Sequence, residues 1–180
     1  MPEVIDTILS RRSVRTFTIK PVCKTHINTI LDAGRWAPSG LNNQPWRYIV
    51  VQDRNTIEEM AGFTRYSNVV QGAQVLIVVF LERDAVYNYV KDVQAVGASI
   101  QNMLLACCDL GLGAVWLGEI LNQKEKVNLI LDVPDSFELM AVLAIGNPTD
   151  EERTSNRKAV QDIAFNEKFG VNWVERDEEF

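Results

Sequence analysis

The sequence is poor in the residues that most protein-only catalysis requires. Its 180 residues include one histidine, His26, which falls in an amphipathic helical pattern as a structural or surface residue. That excludes multi-histidine metal centres and leaves a Ser-His-Asp triad poorly supplied. Cys23, Cys107 and Cys108 form an odd set with no C-x-x-C spacing, so neither a disulfide framework nor a zinc knuckle is implied. The adjacent pair sits in a long helical pattern, where small core residues belong. Long apolar runs are missing too. The longest, Val75 to Leu81 and Leu139 to Ile145, have strand length and are too short to cross a bilayer. No secretory n-region and h-region opens the chain. Positive charge is in deficit: a net charge of −6 argues against an extended nucleic-acid surface. The expectation is a cytoplasmic protein with no membrane span, no bound metal and no nucleic-acid partner.

Catalytic loops are equally scarce. There is no G-x-S-x-G elbow and no G-x-x-x-x-G-K-[ST] phosphate loop. "GLGAVWLG" begins like a dinucleotide fingerprint, but Trp116 stands where the third glycine belongs. Chemistry this poorly supplied by side chains points to a cofactor.

What is present is a single, well-patterned domain over residues 1–180, without repeat, low-complexity tract or linker. Val4, Ile5, Ile8 and Leu9 recur at helical spacing, with Pro2 suited to the first turn. Ile27, Ile30 and Leu31 predict a second helix running into Gly34 and Trp36. Tyr48 to Val51 predicts a strand, Asn55 with Glu58 a helix start, and Gln74 to Leu81 a buried strand. Asp84 is the expected cap of the longest helix, about 84–110, which Gly111 stops. Val86, Val90, Val93, Gly97, Ile100, Leu104 and Cys108 line it, and further apolar residues predict burial on most sides. Gly97 and Ala98 cost helix propensity, which suggests close approach of something flat or of another helix. Gly113 to Leu117 predicts a strand, Gln123 to Leu131 a helix and Phe137 to Ile145 a strand. Beyond Asn147 the chain turns polar, then carries Phe165, Phe169, Val171, Trp173 and Val174. Such a tail needs a surface, and a partner subunit would supply one.

Two segments carry chemistry. Arg11, Arg12 and Arg15 around Ser13 are either a solvated basic turn or a set of charged donors and a hydroxyl for a phosphate. "RWAPSGLNNQPWRYIV", residues 35–50, is either a well-capped turn or a reader of a heterocycle edge. Asn42, Asn43 and Gln44 carry amide donors and acceptors on a backbone fixed by Pro38, Gly40 and Pro45.

Together with "GASIQNMLLACCDLGLGAVWLGEI" and "AIGNPTDEERTSNRKAV", these segments resemble the nitroreductase-like flavoproteins, in order and across nearly the whole chain. The resemblance implies an α+β fold with a central, mostly antiparallel sheet flanked by helices. It also implies a domain-crossing homodimer, with residues about 160–180 as an arm on the partner. The implied cofactor is FMN. Arg11, Arg12, Ser13 and Arg15 match the segment holding its ribityl chain and phosphate, and Arg157, beside Lys158, matches a second phosphate contact. Pro38, Ser39, Gly40, Asn42 and Gln44 match a loop reaching the flavin of the other subunit. Leu117, Gly118 and Glu119 match the turn whose backbone N–H faces flavin N5, although many relatives have a proline where this chain has Trp116. Asn68, between Phe63 and Gln71, is a candidate contact to the pyrimidine ring. The implied activity passes electrons from NAD(P)H to electron-poor acceptors such as nitroaromatics or quinones, by a ping-pong mechanism without side-chain acid or base. A flavin sensor or carrier without turnover, or a dehalogenase or flavin-fragmenting relative, are the alternatives. No long substrate-covering insertion of the kind found in some relatives is evident.

Overall fold

The computed structural model describes residues 3–173. Pro2 and Val174 therefore lie outside the described residues. The elements run α1 (Val4–Ser10), α2 (Lys24–Arg35), β1 (Trp46–Val51), α3 (Arg54–Ala61), α4 (Ser67–Gly72), β2 (Val75–Glu82), α5 (Tyr89–Asp109), β3 (Gly113–Leu117), α6 (Lys124–Ile130) and β4 (Phe137–Gly146). The four strands form one sheet in the order β1-β2-β4-β3, with every strand pair antiparallel. The expected α+β architecture is thus present.

The two central strands explain their own sequence. β2 is buried along both faces, so its β-branched run needs no polar alternation. One face of the sheet packs Ile77, Val79, Leu81, Ala141 and Leu143 against α2 and α5 through Ile27, Ile30, Ile100 and Met103. The other packs Leu76, Val78, Phe80 and Val142 with Ile57, Met60, Val70, Ile120 and Val127. Cys107 lies in the first core, and burial pushes its thiol up to about 12, which keeps it inert.

Several local expectations need correction. The long helix begins at Tyr89, with the Asn88 side chain accepting from the Lys91 N–H. Asp84 lies in a preceding 3₁₀ turn, Arg83–Ala85. The buried line of α5 is Asp92, Ala95, Val96, Ser99, Ile100, Met103, Leu104 and Cys107. Val90, on the expected line, is 65% exposed, while Ala98 and Ala106 are half-buried. The apolar residues ring the helix, so composition did not single out the inner face. Gly97 does face something flat: the Trp116 indole, 3.9 Å from where a Cβ would stand. α3 is capped by Asp53, which accepts from the Thr56 N–H and holds its carboxyl below the usual range. Asn55 is inside that helix. In α1 the buried residue is Thr7, whereas Val4 and Leu9 are 71% and 67% exposed.

Candidate functional site

After α1 the chain extends along the β3 edge. The Val14 N–H donates to the Ala114 carbonyl at 3.0 Å, and Ser13 bridges Ala114 in parallel. Gly113 makes this approach possible, because a Cβ there would stand 2.5 Å from Val14 Cγ1. Phe17 then bridges Pro148, and the Thr18 N–H donates to the Asn147 carbonyl at 2.8 Å. Beyond β4, the Thr16 hydroxyl donates to Glu151 at 2.7 Å, while Arg153 donates to the Thr149 carbonyl and to Thr16. These bonds fold the polar segment after β4 back over the basic segment after α1.

The result is a cavity of about 460 Å³ lined by Arg11, Arg12, Ser13, Arg15 and Arg157, together with Glu152, Arg153, Thr154 and Ser155. The geometry brings together basic residues from opposite ends of the chain. Sequence reasoning missed Arg153, Thr154 and Ser155, although they lie in the same polar segment as Arg157. Arg12 donates through Nη1 to the Leu9 and Arg11 carbonyls, while its Nε–H is buried without a partner. Buried charged donors are rarely left unpaired, and five guanidinium groups against one carboxylate suit an anion. A phosphate would offer an acceptor to that Nε–H and negative charge to the excess of guanidinium groups.

The amide-rich turn is built differently. Gly40–Asn42 forms a 3₁₀ turn before β1, with Leu41, Asn42 and Gln44 at positive φ of 55°, 54° and 47°. Each such non-glycine residue costs roughly 1 kcal/mol or more. The Ser39 hydroxyl accepts from the Gln44 N–H at 3.0 Å, and the Gln44 amide donates to the Asn42 carbonyl. Asn43 turns inward, donating to the Ala85 carbonyl at 2.9 Å and to Asp92 at 2.8 Å. Tyr87 packs so closely on Gly40 that a Cβ there would meet its hydroxyl at 1.9 Å. The three amides therefore divide: Asn42 and Gln44 are exposed, and Asn43 is a structural peg. Pro38 is also exposed.

At the far end of β3, Leu117 is buried and Gly118 is exposed. The Glu119 carboxylate accepts from the Thr64 hydroxyl at 2.7 Å and from the Arg65 N–H at 3.0 Å and Nε–H at 3.3 Å. The Thr64 bond first, then those from Arg65, hold its pKa below the usual carboxylate range. Its side chain is thus committed to the α3–α4 connection, while Gly118 beside it stays exposed. Asn68 is exposed on α4, which follows that connection. Arg157 and Lys158 are both exposed.

The basic pocket and the amide turn lie at opposite corners of the sheet. Ala114 is level with Ile145 and Val75, whereas Trp46, which follows the turn, is level with Leu81. Three strand spacings and six residues along β2 separate them, about 25 Å on the diagonal. The 117–119 turn, by contrast, is only three residues from Ala114, about 10 Å. Among the described residues no cluster of side chains suits a metal ion, and no helix is long and apolar enough to cross a membrane.

The nitroreductase family model matches residues 8–70 and 64–147. A candidate NADH dehydrogenase/NAD(P)H nitroreductase of Archaeoglobus fulgidus is 33% identical over 156 residues, covering 84% of this chain and 89% of that protein. The NADPH-flavin oxidoreductase of Vibrio harveyi is 30% identical, covering 87% of this chain and 70% of that one. A crystal structure of a candidate nitroreductase in complex with FMN, from Desulfovibrio desulfuricans, superposes with a TM-score of 0.88 at 44% identity. It covers 94% of this chain and 99% of that one.

Proposed function

Because this chain belongs to the nitroreductase family, we propose that it is an FMN-dependent oxidoreductase that takes electrons from NAD(P)H and passes them to small electron-poor acceptors. The observation that carries this reading is the five-arginine cavity, in which Arg157 joins Arg11, Arg12, Ser13 and Arg15 around an unpaired Arg12 Nε–H. Those residues would hold the FMN phosphate. When bound, FMN supplies the hydride chemistry, so no side chain need act as acid or base. The backbone at Leu117, Gly118 and Glu119 would face the flavin ring, one short stretch of strand from the phosphate.

Pro38, Ser39, Gly40, Asn42 and Gln44 complete the site from a second copy of the chain. The separation within one chain supports this, since three strand spacings set the turn roughly 15 Å to the side of Gly118 and about 25 Å from the phosphate pocket. A homodimer is further supported by the unburied apolar residues of α1. One of them, Val4, lines a groove of about 540 Å³ together with Ala33, Trp36, Leu105 and Ala106. Residues 1–180 form one domain on this reading, with about 160–180 as an arm on the partner. Within the described part, Phe165 bridges Asn172 and stacks at 4.5 Å on Phe169, leaving Phe169 almost fully exposed. That apolar knuckle is suited to a partner surface. The protein works in the cytoplasm.

The test is the visible spectrum of the purified protein, identification of the flavin released by denaturation, and steady-state NAD(P)H oxidation with a quinone. A yellow protein releasing FMN, with parallel double-reciprocal plots, is expected. A colourless protein that leaves added FMN fluorescence unquenched overturns the proposal.

A further inference from the structure

We infer that Asp92 is a positioning residue for the flavin site of the partner subunit, acting through Asn43 on the amide turn. This rests on the reading above, in which that turn completes the site of the other chain.

Asp92 is the one charged residue among the buried described residues, fully enclosed in the first turn of α5. None of the ion pairs among the described residues involves it. Burying a carboxylate without a cation is unfavourable unless donors surround it. Here three N–H groups do so: Oδ1 accepts from the Asn43 side chain at 2.8 Å, while Oδ2 accepts from the Tyr87 and Asn88 backbone at 3.0 and 3.1 Å. One carboxylate thus joins the turn before β1 to the segment entering α5. The same segment supplies Tyr87, whose ring closes over Gly40 and has the Lys91 ammonium 5.5 Å from its centroid.

What is clamped is a strained backbone. Three non-glycine residues within four positions take left-handed conformations, and such strain persists only where surrounding structure over-determines it. A neutral Asn at position 92 cannot reproduce the clamp. Its amide would set N–H groups either against the Asn43 amide or against the Tyr87 and Asn88 N–H groups. The turn would then relax toward ordinary φ, and Ser39 and Asn42 would lose their fixed placement. Because those residues reach the partner's flavin, the deficit falls in trans, while the basic pocket of the same chain is spared.

Mixed dimers provide the test. Variants are co-expressed with different affinity tags, mixed dimers are isolated, and FMN occupancy is read from visible absorbance. Asp92→Asn homodimers are expected to bind FMN roughly 10- to 100-fold more weakly. Asp92→Asn paired with Arg12→Ala/Arg15→Ala should place both lesions on one site and leave the other intact, restoring about half of wild-type occupancy. Paired with Ser39→Ala/Asn42→Ala, it should restore none. The reverse pattern, loss in both pairings, or normal FMN binding by Asp92→Asn homodimers overturns the inference. Should Asp92→Asn fail to fold, Asn43→Ala removes the same link, with the same expected pattern and the same overturning results. The shared-site reading is checked separately by pairing Arg12→Ala/Arg15→Ala with Ser39→Ala/Asn42→Ala. Failure of mixed dimers to form or to regain FMN there sinks that reading instead.

Discussion

The basic pocket and the amide-rich turn are both loop segments beside a strand, yet their placement is achieved by opposite means. In the pocket the backbone is tied down, by the Val14–Ala114 bond and the Thr18–Asn147 bond, and the long arginine side chains supply the charge. In the turn the backbone itself is contorted, and a buried side-chain pair, Asn43 with Asp92, keeps it so. A phosphate is a compact charge that many arginine rotamers can meet. A flat heterocycle edge presents fixed donors and acceptors, so its reader must be fixed as well. Charge tolerates mobile side chains, whereas shape demands a rigid backbone.

That contrast can be broken experimentally. The largest effect is expected in the pocket: Arg15→Ala and Arg157→Ala should each weaken FMN binding about 10- to 100-fold, since a hydrogen bond to a charged group contributes roughly 1.5–3 kcal/mol. Titrations at several salt concentrations should show wild-type affinity falling with salt and the arginine variants responding less. Gly113→Ala attacks the backbone anchoring instead. Its methyl would collide with Val14, and such overpacking costs about 1–3 kcal/mol; thermal denaturation should show the loss, with weaker FMN binding beside it. Asn88→Ala removes the α5 cap and should cost about 1 kcal/mol. The Asn88 backbone N–H still bonds Asp92, so FMN affinity should hold. The smallest effect is in acid. Asp53 and Glu119 have pKa values lowered by folding, so their stabilisation is present above the unfolded carboxylate range and is lost as pH falls below about 4. Glu119→Gln should flatten part of the melting-temperature decline measured on that descent.

The parts of the fold legible in sequence were those where one local rule had no competitor. The β-branched run of β2 could hardly be anything but a buried strand, and Gly111 stops α5 with a φ of 70° that glycine favours. Where rules competed, tertiary contacts decided. Asp84 and Asn88 are both good caps, and Asn88 prevailed because the preceding residues are held by Asp92 and by the Asn43 contact at Ala85. Asn42, Asn43 and Gln44 are chemically alike, and only the left-handed turn assigns one of them inward. The basic segment was legible as a candidate phosphate binder, but Arg153 was not, because its role depends on a chain reversal that no nearby residue encodes. Val4, Ile5, Ile8 and Leu9 patterned the first helix correctly and gave no hint that most of that surface would stay unburied in a single chain.

The bridge from Ser13 to Ala114, and from Phe17 to Pro148, also sets a schedule. During synthesis the basic segment leaves the ribosome well before its strand partner, which follows about a hundred residues later, and Arg157 later still. At ordinary elongation rates of roughly 5–20 residues per second, that is a wait of several seconds. The loop closures concerned are among the longest in the chain and carry the largest entropic cost. The sheet and its two helical layers can collapse before the pocket has all its walls. Arg11, Arg12 and Arg15 emerge early and find their site late.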